Sequence, residues 1–429
     1  MSKPSVLLIA EAANPDWVSV PLIGWSVAAA LRDVADVHLV TQVRNRTAIE
    51  AQGWVEGQDF TAIDTEAVTR PIWRTGQMLR MGKGKGWTLN TAVNSLVYPY
   101  FERQVWRHFG ADLKARRFDL VHRVTPLTPT ATSPIARWCA RARVPFVLGP
   151  LNGGVPWPAG FDAERRRERE WLSYVRGLYR LRPGRQAMFR ATAAILAGSH
   201  HTASEIPERF QDKVLWLPEN AIDPARFNRR SAQDISGPLR GCFIGRMVPY
   251  KGPDMLLEAA APHLAAGRLV LDMVGDGPMR AGLEVQARDM GVSDAVTFHG
   301  QVPHDAVQDI AARANLLTFP SIREFGGGVV LEAMALGVVP LIVDYAGPGE
   351  LVTPETGLTV PIGPRAQIIA DLRAKLDQLV ADPSDLPAIA DRAYERARTK
   401  FTWPAKAQQI LRAYEWALTP DGTPPTLVD

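Results

Sequence analysis

The feature that most constrains this chain is an alternation, repeated as two successive sets, of short β-branched apolar runs with longer segments of helical period. Such alternation is the pattern of βαβ units and parallel sheets. The first set of expected strands is Val6–Ala10, Val37–Thr41, Leu120–Val124, Phe146–Gly149 and Ala194–Ala197. The second is Gly241–Gly245, Leu269–Val274, Val296–His299, Leu316–Phe319 and Val338–Val343. Each set suffices for one doubly wound α/β sheet. Between them Leu217 to Pro238 carries Pro218, Pro224, Gly237 and Pro238 with few apolar residues, which places a linker there. The expected organisation is a domain over 1–218, a second over 219–402, and a terminal helix over 403–429 that packs back on the body and ends in a frayed tail.

A chain of 429 residues has room for two such domains, and 46% hydrophobic with 22% charged residues is an ordinary globular balance. The net charge of +4 hides an asymmetry: residues 1–218 carry 29 basic against 19 acidic side chains, the remainder 20 against 26. The first half is therefore the one suited to an anionic surface. Cys139 and Cys242 lie far apart in apolar surroundings, so neither a disulfide framework nor a CxxC metal site is expected, and a reducing cytoplasm is the default. Val6–Ala10 is too short for a signal peptide, and the longest apolar stretch, Val329 to Val343, is interrupted by Glu332, so no membrane span is expected.

Two constellations carry chemistry, both expected at the carboxyl ends of strands in the second sheet, where open α/β sheets bind ligands. The first is Glu324-Phe325-Gly326-Gly327-Gly328-Val329 with Glu332, after the strand Leu316–Phe319. Successive glycines let backbone approach a ligand, and the helix they open turns its N–H groups and dipole toward an anion. Ionised carboxylates accept from hydroxyls, which suits Glu324 and Glu332 to a ribose or a hexose. The bland reading is a glycine-rich turn with two solvated glutamates. The second constellation is Gly245-Arg246 through Lys251-Gly252, where a guanidinium fork and an ammonium flank a turn that suits a diphosphate or, more plainly, is an exposed basic loop.

The second half resembles the donor domain of the GT-B glycosyltransferases, and within them the retaining glycosyltransferase family 4. The resemblance rests on Gly245-Arg246…Lys251-Gly252, Val274-Gly-Asp-Gly-Pro278, Phe298-His-Gly-Gln-Val302, the two glutamates Glu324 and Glu332 eight apart, Ala346-Gly-Pro-Gly-Glu350, and the linker-like Leu217-Pro-Glu-Asn-Ala-Ile-Asp223. It implies a GT-B fold of two doubly wound Rossmann-like domains facing a central cleft. It also implies that Arg246 and Lys251 bind a donor diphosphate, that Glu332 holds the ribose and that Glu324 orients the transferred sugar. Backbone N–H groups around Gly327 and Gly328 complete the phosphate seat, Phe325, Gly326 and Val329 also bind donor, and the base lies near Gln301 and Val302. One departure is Pro340, one place later than usual in Leu336-Gly-Val-Val-Pro340.

The first half matches the family less well. Glu11-Ala-Ala-Asn-Pro15 stands where relatives carry a Gly-Gly pair, and the usual H-x-H is reduced to His122-Arg-Val124. His122 is equally a structural residue or a donor-sugar contact, whereas Asn152 in Gly149-Pro-Leu-Asn152-Gly153-Gly154 is the better candidate for the cleft. Residues 163–190 hold nine arginines against three glutamates, interleaved with aromatics, as on a helix that lies on an anionic membrane or as on a solvated helix packed by its apolar side.

Gly275-Asp-Gly277 is not a dinucleotide fingerprint, Gly82-Lys-Gly-Lys-Gly86 is not a phosphate-binding P-loop, and the histidines lack metal-ligand spacing. No RNA-reading module is apparent, so nucleic acid is not expected as a partner. The resemblance thus implies a retaining transfer of a hexose from a nucleoside-diphosphate sugar to a hydroxyl acceptor, without metal or other cofactor. The rivals are a GT-B hydrolase or epimerase and a non-catalytic nucleotide-sugar binder.

Overall fold

The computed structural model describes residues 3–68, 87–158, 160–161, 182–419 and 422–429. The chain divides into two compact units, the first made of Met1–Gly154, Trp171–Glu219 and Trp403–Asp429, the second of Val155–Glu170 and Asn220–Thr402.

The first unit is built on seven strands: β1 (Ser5–Ala10), β2 (Asp36–Gln42), β3 (Phe60–Ile63), β4 (Leu120–Thr125), β5 (Phe146–Leu151), β6 (Ala194–Ala197) and β7 (Val214–Trp216). They pair in parallel in the order β3-β2-β1-β4-β5-β6-β7. Strands covered on both faces must be apolar throughout. Leu7, Leu8 and Ile9 of β1, like Phe146, Val147 and Leu148 of β5, are fully buried. The helix Trp87–Lys114 covers the sheet with Phe101, Val105, Phe109 and Leu113, a four-residue stripe that keeps one face inward. Gly24 in the helix Val20–Leu31 sits against the loop after β1, where an added Cβ would lie 2.2 Å from the Ala12 carbonyl oxygen.

The second unit has six parallel strands: β8 (Leu239–Ile244), β9 (Leu269–Val274), β10 (Val296–Gly300), β11 (Leu316–Phe319), β12 (Val339–Asp344) and β13 (Leu358–Pro361). Their order is β10-β9-β8-β11-β12-β13. On one side the helix Pro253–Ala265 packs against Arg365–Ala381, with Leu256, Leu264, Leu372 and Leu376 buried and Arg365 bonded to Asp254 and Glu258. Each sheet thus has one topological switch point, between β1 and β4 in the first and between β8 and β11 in the second.

Three strands, β3, β7 and β13, were not expected from sequence, and all lie at sheet edges. An edge strand buries only part of itself, so its apolar run is short; only Leu215 of the three residues in β7 is buried. The expected linker is also too wide. Residues 220–238 belong to the second unit, with Ile222 and Phe227 buried and the Gln233 amide donating to the carbonyls of Asn315 (3.1 Å) and Gly337 (2.8 Å). Ser231 and Gln233 are buried there and fastened to backbone carbonyls.

The expected frayed tail is corrected as well. Leu427 and Val428 are buried, and Arg412 donates to the Leu427 carbonyl. The Gly82–Gly86 loop and the arginine-rich stretch up to residue 181 lie outside the described residues. At that stretch's end Arg185 is buried and donates to the Glu205 carbonyl at 3.0 Å. Among the described residues no helix is long and apolar enough to cross a membrane.

Candidate active site

The loops after β8 and β11, on either side of the second unit's switch point, carry the sequence candidates Arg246, Lys251 and Glu324. The loop after β8 runs through Gly245 and Arg246 to a short turn of helix, Pro249–Lys251, and ends at Gly252 in the left-handed region (φ 68°). A Cβ on Gly252 would lie 2.6 Å from the Pro320 carbonyl oxygen, so only glycine lets this loop touch the one after β11. The two loops are also stitched by backbone and side chain: the Ile322 N–H (2.9 Å) and the Ser321 hydroxyl (3.2 Å) both donate to the Tyr250 carbonyl. The basic loop and the glutamate loop are therefore one construction.

At its centre the Lys251 ammonium pairs with the Glu324 carboxylate. The ammonium also lies 4.8 Å from the centre of the Phe319 ring. Burial pulls the Lys251 pKa down to about 7, because desolvation disfavours the charged form. Arg246 is exposed on the same loop, and Glu324 and Phe325 are half-buried.

Gly327 (φ 57°) caps the helix Gly328–Ala335, and its Cβ position lies 2.7 Å from Leu351. The N–H groups of the first turn, at Gly328 and Val329, have no acceptor within such a helix and point out of its end. Glu332 stands one turn further on, half-buried. Gly347 supports the loop from behind: its N–H donates to the Glu324 carbonyl at 3.3 Å, and a Cβ there would meet the Phe325 carbonyl oxygen at 1.7 Å.

The Gly275-Asp-Gly277 turn braces the basic loop from its other side. Gly275 has φ 126°, and a Cβ on it would lie 2.1 Å from the Gly245 carbonyl oxygen; the Met247 N–H donates to the Asp276 carbonyl at 2.9 Å. Gln301, exposed, and Val302, half-buried, follow β10 on the same carboxyl edge. Asn220 was missed: its side-chain amide lies 3.4 Å from where a Gly328 Cβ would stand. Its only sequence signal is its place in Pro218-Glu-Asn-Ala. Among the described residues no group of three or more His, Cys, Asp and Glu side chains is placed to hold a metal ion.

In the first unit the two sequence candidates are arranged differently. His122, on β4, is fully buried. Its Nε2 lies 2.7 Å from the Gly149 carbonyl oxygen, which only accepts, so Nε2 carries the proton; Nδ1 then accepts from the Tyr414 hydroxyl at 2.6 Å. Burial lowers its pKa to about 4, keeping the ring neutral, and neither nitrogen is left for a ligand. Asn152 donates through Nδ2 to both carboxylate oxygens of Glu219, at 3.0 and 2.9 Å, and accepts from the Gly154 N–H at 2.8 Å. Next to His122, Arg123 is fully buried and donates to Ala131 O (2.9 Å) and Ser133 Oγ (3.0 Å), while the Ser133 hydroxyl donates to Glu102 at 2.6 Å. Burial raises the Glu102 pKa to about 7.

Sequence comparison finds likeness mainly in the unit that carries the first of these sites. Residues 225–399 match the family model of glycosyl transferases group 1. A D-inositol 3-phosphate glycosyltransferase of Frankia alni is 34% identical over 209 residues, 46% of this chain and 50% of that protein. The chain spans about half the length of the curated relatives it matches. Similarity of fold reaches further. The crystal structure of Anabaena Alr3699/HepE in complex with UDP aligns over 96% of this chain and 99% of its own, at 16% identity and a TM-score of 0.57. A glycosyltransferase from Rickettsia africae ESF-5 aligns over 98% and 100%, at 14% identity and a TM-score of 0.60. The fold of this chain is that of the GT-B glycosyltransferases, two parallel-sheet Rossmann-like domains, and its second domain carries the glycosyl transferases group 1 sequence pattern.

Proposed function

We propose that this chain is a retaining glycosyltransferase that moves a hexose from a nucleoside-diphosphate sugar to a hydroxyl acceptor. The observation that carries the reading is the Lys251–Glu324 pair, set by two stitched loops at the switch point of the domain that matches glycosyl transferases group 1. In this reading the ammonium exchanges its carboxylate partner for the diphosphate when donor binds. Arg246 adds a guanidinium fork, and the helix opening at Gly327–Gly328 directs its N–H groups to the phosphates. Glu324, released from the lysine, accepts from hydroxyls of the sugar, and Glu332 from those of the ribose. Gln301 and Val302 border the base. UDP in the similar Anabaena structure supports a nucleotide of this kind.

The reaction breaks the bond between the anomeric carbon and the diphosphate oxygen and forms one from that carbon to the acceptor oxygen. The acceptor's proton passes to the departing diphosphate, which leaves from the face the acceptor enters. No protein nucleophile takes part. Negative charge that grows on the leaving group is stabilised by Arg246, Lys251 and the helix end, in place of a cation. The two cysteines are buried free thiols, which suits a reducing compartment.

Thermal melting with UDP-glucose, UDP-galactose and GDP-mannose tests the binding step. A donor at about a hundred times its Kd adds about 2.7 kcal/mol, or about 5–10 °C for a domain of this size. No shift with any of the three at millimolar concentration overturns the reading. The metal-free step is tested separately: transfer should persist in EDTA, and its abolition there overturns that part alone.

A further inference from the structure

We infer that Lys406 and Tyr414, on one face of the helix Trp403–Leu418, are positioning residues that hold the loop Gly149–Gly154 in shape from its two ends. Everything involved belongs to the first unit. At the loop's start the Tyr414 hydroxyl donates to His122, and the other nitrogen of that ring donates to the Gly149 carbonyl. At its far end Asn152 is gripped by both oxygens of Glu219. The Lys406 ammonium donates to the carbonyl of Pro218, one residue before that glutamate, and its charge acts on the glutamate's carboxylate. Residues eight apart share a helix face, so one rigid element supplies both supports.

The loop itself needs support. Gly149 has φ 126°, with the Leu196 carbonyl oxygen 2.2 Å from its Cβ position, and the Gly153 N–H reaches Thr202 Oγ1 at 2.9 Å. The two glycines that close it, Gly153 and Gly154, carry no side chain to pack. The helix, by contrast, does not need these polar groups for its own burial. Ala407, Ile410, Ala413 and Ala417 already turn inward, and burying an ammonium (1% exposed) and a carboxylate (6% exposed) is a poorer source of stability than burying apolar residues of the same size. Burial raises the Glu219 pKa and lowers that of Lys406, each to about 7, and each charge offsets part of the other's desolvation. Two buried charges that are dear in stability, one tied to a backbone carbonyl and the other to an asparagine, are suited to fixing geometry. That the loop serves sugar transfer rests on the function proposed above.

The test uses the full chain with Tyr414→Phe, Lys406→Met and the double variant Glu219→Gln/Lys406→Met, which removes both buried charges together. Hydrogen exchange followed by mass spectrometry should show at least about tenfold faster exchange in the peptide covering 149–154 for both single variants, with partial recovery in the double. Peptides of the second unit should be unchanged. Turnover of whichever of UDP-glucose, UDP-galactose and GDP-mannose stabilises the chain most should fall about tenfold in kcat, with its KM within twofold, at a temperature well below each variant's Tm. Unaltered exchange at 149–154 overturns the brace. Faster exchange with wild-type kcat overturns the loop's part in the reaction. A wild-type chain that turns over none of the three donors overturns the transferase reading and the loop's use in it, while the exchange result still decides the brace.

Discussion

The two units share a parallel sheet with one switch point, yet they treat charge in opposite ways. The second keeps Arg246 exposed and Lys251, Glu324 and Glu332 within reach of a ligand at the carboxyl ends of β8 and β11. The first draws His122, Arg123, Glu102, Glu219 and Lys406 inside, where each finds protein partners. The same topology thus yields one unit with charged groups at the exposed ends of its strands and another with charged groups in its interior. Group type alone does not separate the two; exposure does, since Lys251 and Glu324 meet each other on loops partly open to solvent whereas the first unit's charged groups meet their partners in its interior.

That contrast breaks or sharpens under four changes. The largest effect is expected for Lys251→Ala, which removes a charge that in this reading meets the leaving group; kcat/KM should fall about 10²–10³-fold while the melting temperature holds. Near-wild-type transfer would place the lysine with the internal charges. Next, Arg123→Leu leaves the carbonyls of Pro126 and Ala131 without their donor and Glu102 without a nearby cation. A loss of about 3 kcal/mol is expected in denaturant unfolding of the first unit, with UDP affinity of the second unchanged. A fall in UDP affinity would show that the two kinds of charge are not separate.

Smaller effects probe the scaffold under the site. Gly347→Ala forces a methyl against the Phe325 carbonyl, and overpacking of about 1–2 kcal/mol should appear as a roughly tenfold loss of UDP affinity measured by calorimetry. Smallest is the pH effect. Because the free-state Lys251 pKa is lowered to about 7, raising the pH through 7 removes the proton that a bound diphosphate favours. UDP affinity should therefore fall several-fold from pH 7 to 8, and Lys251→Arg should flatten that slope. A flat wild-type profile would mean that the ammonium keeps its proton throughout.

How much of this was legible in sequence follows the same division. Interior strands such as β1, β5 and β12 announce themselves because two covered faces demand unbroken apolar runs. The edge strands β3, β7 and β13 do not, since part of each faces water. Arg246, Lys251 and Glu324 were legible because chemistry-bearing side chains beside glycines at strand ends form a local pattern. Lys406 and Tyr414 were not. Their partners lie 188 and 292 residues away, and the one local trace is a lysine on the apolar stripe of a helix. Where an internal charge of the first unit finds its partner far along the chain, as Lys406 does, spacing within a segment carries no sign of it.

The return of the chain at Trp403 sets an order of assembly. The second unit lies between two parts of the first, and its own ends meet where the Ile222 N–H donates to the Phe401 carbonyl at 2.8 Å. On a ribosome the second unit is therefore complete before Tyr414 exists, and until then His122 Nδ1 lacks its hydroxyl donor and the Glu219 carboxylate the charge of Lys406. The first unit to be started is completed after the second, and its polar interior closes only when the helix Trp403–Leu418 emerges.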